Sequence, residues 1–189
     1  MKIVRFSQSG HAPRLGCFLG QDRVMDLAAT GATHLAGKGV VRAGEIAATL
    51  FPQSTRGFLE GGVVSQDMLA AMMAAIKAGT LAPVAHVASS VRLHAPIADP
   101  GKFICIGLNY RDHAAEGGTP VPKQPPIFPK WANAILDPGE PIVRPRGETT
   151  LDWEVELGVV IGTTARHVPR AQALDHVFGY TIVNDASAR

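Results

Sequence analysis

The chain has few cysteines, no block of like charge and no long apolar run. Its 189 residues include only Cys17 and Cys105, far apart and without CxxC spacing. That excludes a disulfide framework or a paired-cysteine zinc site, and both thiols are expected to be small buried hydrophobes. Eighteen Lys and Arg against sixteen Asp and Glu leave a formal net charge of +2, with no basic run. Neither nucleic acid nor an anionic membrane surface is indicated as a partner. The most apolar stretch, MLAAMMAAI at 68–76, is too short to span a bilayer, and MKIVRFSQSG lacks the apolar core of a signal peptide. A soluble, cytoplasmic protein is expected.

A hydrophobic fraction of 46% and a charged fraction of 18% belong to a folded chain with a real core. The length suits one domain, or one with a small companion. Two regions differ in texture. Residues 1–95 are rich in Ala and Gly and open with short alternating pieces, Lys2–Phe6, Leu15–Leu19 and Arg23–Leu27, a strand-and-hairpin pattern. A helix is expected from Ser65 as N-cap through MLAAMMAAIKA to Gly79, and a weaker one over Ala43–Leu50 before Pro52. Pro96 and Pro100 mark a boundary, after which residues 96–189 carry the concentrated polar chemistry. There KFICIGLNY, WANAILDPGEPIV, LDWEVELGVVIG and FGYTIVNDASAR read as strands. RDHAAE reads as one helical turn, ARHVPRAQALDHV as a short helix and GGTPVPKQPPIFP as a loop.

In LDWEVEL, Asp152, Glu154 and Glu156 alternate with Trp153, Val155 and Leu157. A strand would put the carboxylates on one face, neighbours roughly 6.5–7 Å apart. One reading is a solvated edge strand. The other follows from the apolar continuation GVVIG, which suggests a strand buried on both sides; carboxylates at its mouth then need a compensating cation, and hard cations take such oxygen ligands. Asp185 offers a third carboxylate, although Asn184-Asp185 also suits a turn or a cap. His113 and Glu116, three apart on a helical turn, form either an exposed surface pair or a general base with its orienting carboxylate. HAAE is not HExxH, so a zinc-protease site is not supported. The remaining histidines, His94 among them, read as surface or capping residues. A glycosidase acid pair at Glu154 and Glu156 is weak, since both share one strand face and aromatics make up 6% of the chain.

GLNYRDHAAE, PPIFPKWANAI, EPIVRP, DWEVELGVVIG and GYTIVNDASAR, in this order over residues 101–189, resemble the fumarylacetoacetate hydrolase family. MKIVRF, RLGCFLGQDRVMDL and RLHAPI are more loosely similar to the small N-terminal domain of its bacterial members, those named as diketo-acid hydrolases or ureidoglycolate lyase-like. The resemblance implies an α+β, mainly β fold, a mixed β-roll with a small N-terminal α+β domain. It implies Glu154, Glu156 and Asp185 as ligands of Mg²⁺ (or Mn²⁺ or Ca²⁺), and His113 with Glu116 as a water-activating dyad. Lys130, Asn109 and Tyr110 fall at substrate-binding positions. The implied activity is C–C bond hydrolysis of a small 2-oxo or 2,4-dioxo acid of the acylpyruvate type by a homodimer, or decarboxylation or isomerisation of a related acid. Because family members continue past the Asp185 motif, the roll is expected to be incomplete, and a chain that only binds metal or a partner is the competing expectation.

Overall fold

The computed structural model describes residues 1–188. Short turns reverse the chain twice at its start, so that β1 (Ile3–Ser7), β2 (Arg14–Leu19) and β3 (Arg23–Asp26) form an antiparallel meander with Ile3 opposite Cys17 and Cys17 opposite Met25. Gly16 sits where β2 passes beneath Phe6 and Val24, and an added Cβ would come within 2.8 Å of both side chains. Asp26 ends β3 and caps the next helix, its Oδ1 accepting from Ala29 N at 3.0 Å. Four helices follow: α1 (Leu27–Gly37), α2 (Ala43–Leu50), α3 (Thr55–Glu60) and α4 (Gly62–Lys77). The chain then returns as β4 (Ala85–Val87) beside β3 and β5 (Arg92–His94) beside β1, completing a five-stranded antiparallel sheet in the order β4-β3-β2-β1-β5.

Its core lies between sheet and helices. Leu15, Cys17 and Met25 meet Phe51, Phe58, Leu69 and Met72, all almost fully buried. Ser65, Leu69 and Met72 lie on one face of α4 by helical spacing. The helix therefore starts before Ser65, which is not its N-cap; Gly61 precedes it without a side-chain cap, and Ser65 is buried inside. Nothing in the sequence marked α1, α3, β4 or β5.

The second region is more open. β6 (Ile104–Ile106) pairs antiparallel with β7 (Ile127–Pro129), and between them lies α5 (Arg111–Glu116). WANAILDPGEPIV, expected as a strand, is irregular apart from a 3-10 turn at Ala132–Ala134. Its prolines remove ladder donors, and Gly139 turns the chain at φ +81°. LDWEVEL is also not one strand. It divides into β8 (Leu151–Asp152) and β9 (Val155–Ile161) at Trp153–Glu154. Arg170–His176, expected as a helix, is a 3-10 segment leading into β10 (Val177–Asn184), which pairs with β9, and β11 (Ser187–Ala188) pairs with β8.

β9 is not buried on both sides. Val155, Leu157, Val159 and Ile161 are exposed, while Glu156, Gly158 and Val160 form the half-buried face. At the start of the β9–β10 hairpin, Phe178 reaches the N-terminal core and meets Phe58 edge-on at a centroid distance of 6.1 Å. His94, read as a surface or capping residue, is mostly buried between Ser7 and Asp137. Both cysteines are free and buried. Among the described residues, no helix is long and apolar enough to cross a membrane.

A carboxylate-lined candidate active site

The interruption at Trp153–Glu154 shapes the site. There the β9–β10 ladder gives way to the β8–β11 pair, and the backbone groups in the gap find other partners. Glu154 N donates to Asn184 Oδ1 at 3.1 Å, and Asp185 N donates to Glu154 O at 2.8 Å. Asn184 thus completes the ladder with its side chain, and Asp185 is pinned beside Glu154. The short helix α5 faces this break. Together they enclose a cleft of about 320 Å³. Asn109, Tyr110, His113 and Glu116 form one wall, and residues Asp152 through Glu156 form the other.

Six of the eight residues singled out from sequence, Asn109, Tyr110, His113, Glu116, Glu154 and Glu156, therefore share one cleft. Lys130 and Asp185 are not among its lining residues; they are paired with each other. Asp185 is only 6% exposed, and its Oδ1 forms an ion pair with Lys130 Nζ. Lys130 also donates to Ala186 O at 3.4 Å, while its own backbone N–H bonds to Phe103 O at 3.0 Å. The repulsion expected of crowded carboxylates is relieved residue by residue. Asn109 Nδ2 donates to Glu156 Oε1 at 2.9 Å, and Lys130 neutralises Asp185.

His113 Nδ1 and Glu116 Oε2 are 4.0 Å apart, close enough for charge attraction but too far for a hydrogen bond. Glu116 is largely exposed and His113 about one third exposed, so both are open to solvent where they line the cleft. Cys105 is buried in β6. Burial pushes its thiol pKa up, the Lys130 ammonium pulls it down and the Glu156 carboxylate raises it again. This buried thiol, which the sequence marked only as a small hydrophobe, is thus within electrostatic reach of both charges.

The donor set suits a hard divalent cation in kind, since Glu154 and Glu156 bring carboxylate oxygens to one side of the cleft. Among the described residues, however, no three His, Cys, Asp or Glu side chains converge on one ion as they stand. The expected trio of Glu154, Glu156 and Asp185 does not form such a group, and Asp185 is paired with Lys130.

Residues 102–189 match the fumarylacetoacetate (FAA) hydrolase C-terminal family. A presumed hydrolase of Burkholderia ambifaria is 52% identical over 131 residues, which cover 69% of this chain and 45% of that protein. The chain spans about half the length of the curated relatives it matches. Among solved structures, a fumarylacetoacetate hydrolase from Exiguobacterium antarcticum superposes with a TM-score of 0.66 at 29% identity, over 100% of this chain and 57% of that one. Maleylpyruvate hydrolase from Sphingobium sp. SYK-6, in complex with manganese(II) and pyruvate, gives a TM-score of 0.68 at 25% identity, over 100% of this chain and 60% of that one.

Proposed function

Given that the chain belongs to the fumarylacetoacetate hydrolase family through residues 102–189, we propose that it is a divalent-cation-dependent hydrolase of a small 2-oxo or 2,4-dioxo acid, cleaving an acylpyruvate-type C–C bond. The observation that carries this reading is the single cleft with imidazole and carboxylate from α5 on one wall and Glu154 with Glu156 on the other. The manganese and pyruvate held by the Sphingobium structure point to the same chemistry.

In this reading Glu154 and Glu156 hold the cation, with Asp185 as the third ligand. A bound Mg²⁺ or Mn²⁺ would draw electron density from a chelated 2-oxo carboxylate and favour departure of the pyruvate-like fragment. His113 takes a proton from a cleft water, and Glu116 turns toward the imidazole and favours its charged form. The resulting hydroxide adds to the distal carbonyl. Collapse of that adduct breaks the C–C bond, releasing an acid and a pyruvate-like enolate, which takes at carbon the proton that His113 removed from water. Asn109 keeps Glu156 aimed along the wall, and Tyr110 lies beside the substrate. The protein acts in the cytoplasm and as a homodimer.

The test is turnover of an acylpyruvate with Mg²⁺ or Mn²⁺ present. His113→Ala should lower kcat by about a hundredfold or more, as loss of a general base does. Glu154→Ala should abolish turnover together with metal binding, and EDTA should remove activity reversibly. The competing reading, a chain that binds metal without chemistry, draws support from the apolar face that β9 leaves uncovered. Metal binding by the wild-type chain without turnover of any oxo-acid would favour it.

A further inference from the structure

We propose that Lys130 is a built-in counter-cation for Asp185, which a divalent ion must displace before the site gains its third carboxylate ligand. This rests on the metal-dependent reading above and assigns Lys130 a role other than contact with substrate.

A carboxylate as buried as Asp185 is costly to keep charged without a partner. Lys130 supplies that partner, and the two halves of the pair differ in mobility. The backbone of Asp185 is fixed at the ladder break by the hydrogen bond from its N–H to Glu154 O at 2.8 Å, which anchors the base of its short side chain beside the Glu154 backbone. The backbone of Lys130 is held by Phe103, but its side chain keeps 26% of its surface in solvent and ends in a flexible four-carbon stem. The ammonium is the half that can leave. An ion seated among Glu154, Glu156 and Asp185 would lie close to that ammonium, and like charges so near repel strongly. Occupation of the site and the Lys130–Asp185 pair therefore exclude one another. Asn109, the partner of Glu156, is neutral and imposes no such competition.

The experiment measures Mn²⁺ affinity of the 189-residue chain by calorimetry and by the paramagnetic resonance of free Mn²⁺. Lys130→Met should tighten binding about tenfold by removing the competing charge, whereas Lys130→Arg, which preserves the pair, should not tighten it. In an Asp185→Asn background the carboxylate being competed for is gone, so adding Lys130→Met should change affinity by less than about twofold. Equal tightening in both backgrounds would reveal a general field effect and overturn the proposal. So would unchanged or weaker binding by Lys130→Met. Failure of the wild-type chain to bind Mn²⁺ at all would remove the metal reading and this inference together, whereas wild-type binding without the predicted cycle removes only the inference. Should Lys130→Met not fold, the ε-ammonium resonance of the wild-type protein, assigned against Lys130→Arg, decides. Saturating Mg²⁺ should shift it, and an unmoved resonance overturns the displacement.

Discussion

Asp137 lies in an irregular stretch, yet its carboxylate joins two distant parts of the chain. Its Oδ1 accepts from Ala95 N at 2.8 Å, its Oδ2 lies 2.6 Å from His94 Nδ1, and His94 Nε2 lies 2.8 Å from Ser7 Oγ. The order Ser, His, Asp is that of a hydrolytic triad, but Ser7 is buried and offers a carbonyl no approach. The consequence is mechanical: the loop between Lys130 and Glu154 is fastened to β5. Burial alone would raise the Asp137 pKa, but the Ala95 amide, His94 and Arg92 together hold it below the usual carboxylate value. A depressed folded-state pKa adds stability above the ordinary carboxylate range, and that stability is lost as pH falls through the depressed value. Asp137→Asn should therefore cost about 2 kcal/mol near neutrality, the worth of a charge-assisted hydrogen bond. In urea unfolding, the gap between variant and wild type should close in strong acid; equal stability at neutral pH would contradict the role. Nothing in sequence marked this cluster, since its members are 87 and 43 residues apart. The cleft residues were legible because short-range patterns carry them: helical spacing for His113 and Glu116, strand alternation for Glu154 and Glu156.

Among the elements, caps separate what sequence conveys from what packing decides. Ser54 caps α3, its Oγ accepting from Gly57 N at 2.9 Å, whereas Ser65 lies within α4 and its buried Oγ has no hydrogen-bond partner among the described residues. Thermal or chemical unfolding should then show Ser54→Ala losing about 1 kcal/mol and Ser65→Ala losing nothing, or gaining stability as an unpaired hydroxyl leaves the core. The reverse order would restore Ser65 as the cap. The expected start at Ser65 failed because α3 ends at Glu60 and α4 begins at Gly62, straight after the shared cap Gly61, so Ser65 falls inside the helix on its buried face with Leu69 and Met72. α2 was legible to its bounds because Pro52 stops it. α1 was not, because LAATGATHLAG buries Leu27, Thr30 and Gly31, a face with little hydrophobic contrast. Strand β9 shows the same limit: its alternation was visible, but which face is covered depends on the neighbours it meets.

At the scale of the molecule, the arrangement inverts the usual sense of an amphipathic sheet. On the β9–β10 hairpin the carboxylate face turns inward toward α5, while Val155, Leu157, Val159, Ile161, Tyr180 and Ile182 on the apolar face, and Trp153 in the break just ahead of it, have exposures from 50% to 80%. Soluble monomers rarely show contiguous apolar patches beyond roughly 300–600 Å², and seven large side chains exposed by half or more reach that scale. The hairpin itself is held by seven paired positions between Val177 and Asn184, and Phe178, bulged from that ladder, ties it to the N-terminal core. The uncovered face should thus bind an apolar dye such as anilinonaphthalene sulfonate without any loss of folded structure, and should drive concentration-dependent association in sedimentation velocity. Charges placed at its centre, Leu157→Lys with Ile182→Lys, should reduce dye binding and shift the boundary to the slowest species. The carboxylate face lies across the sheet from both substitutions, so Mn²⁺ affinity should be retained in the same variant. Dye binding that persists after both lysines are in place would locate the sticky surface elsewhere, and loss of Mn²⁺ affinity alongside it would show that the two faces are not independent.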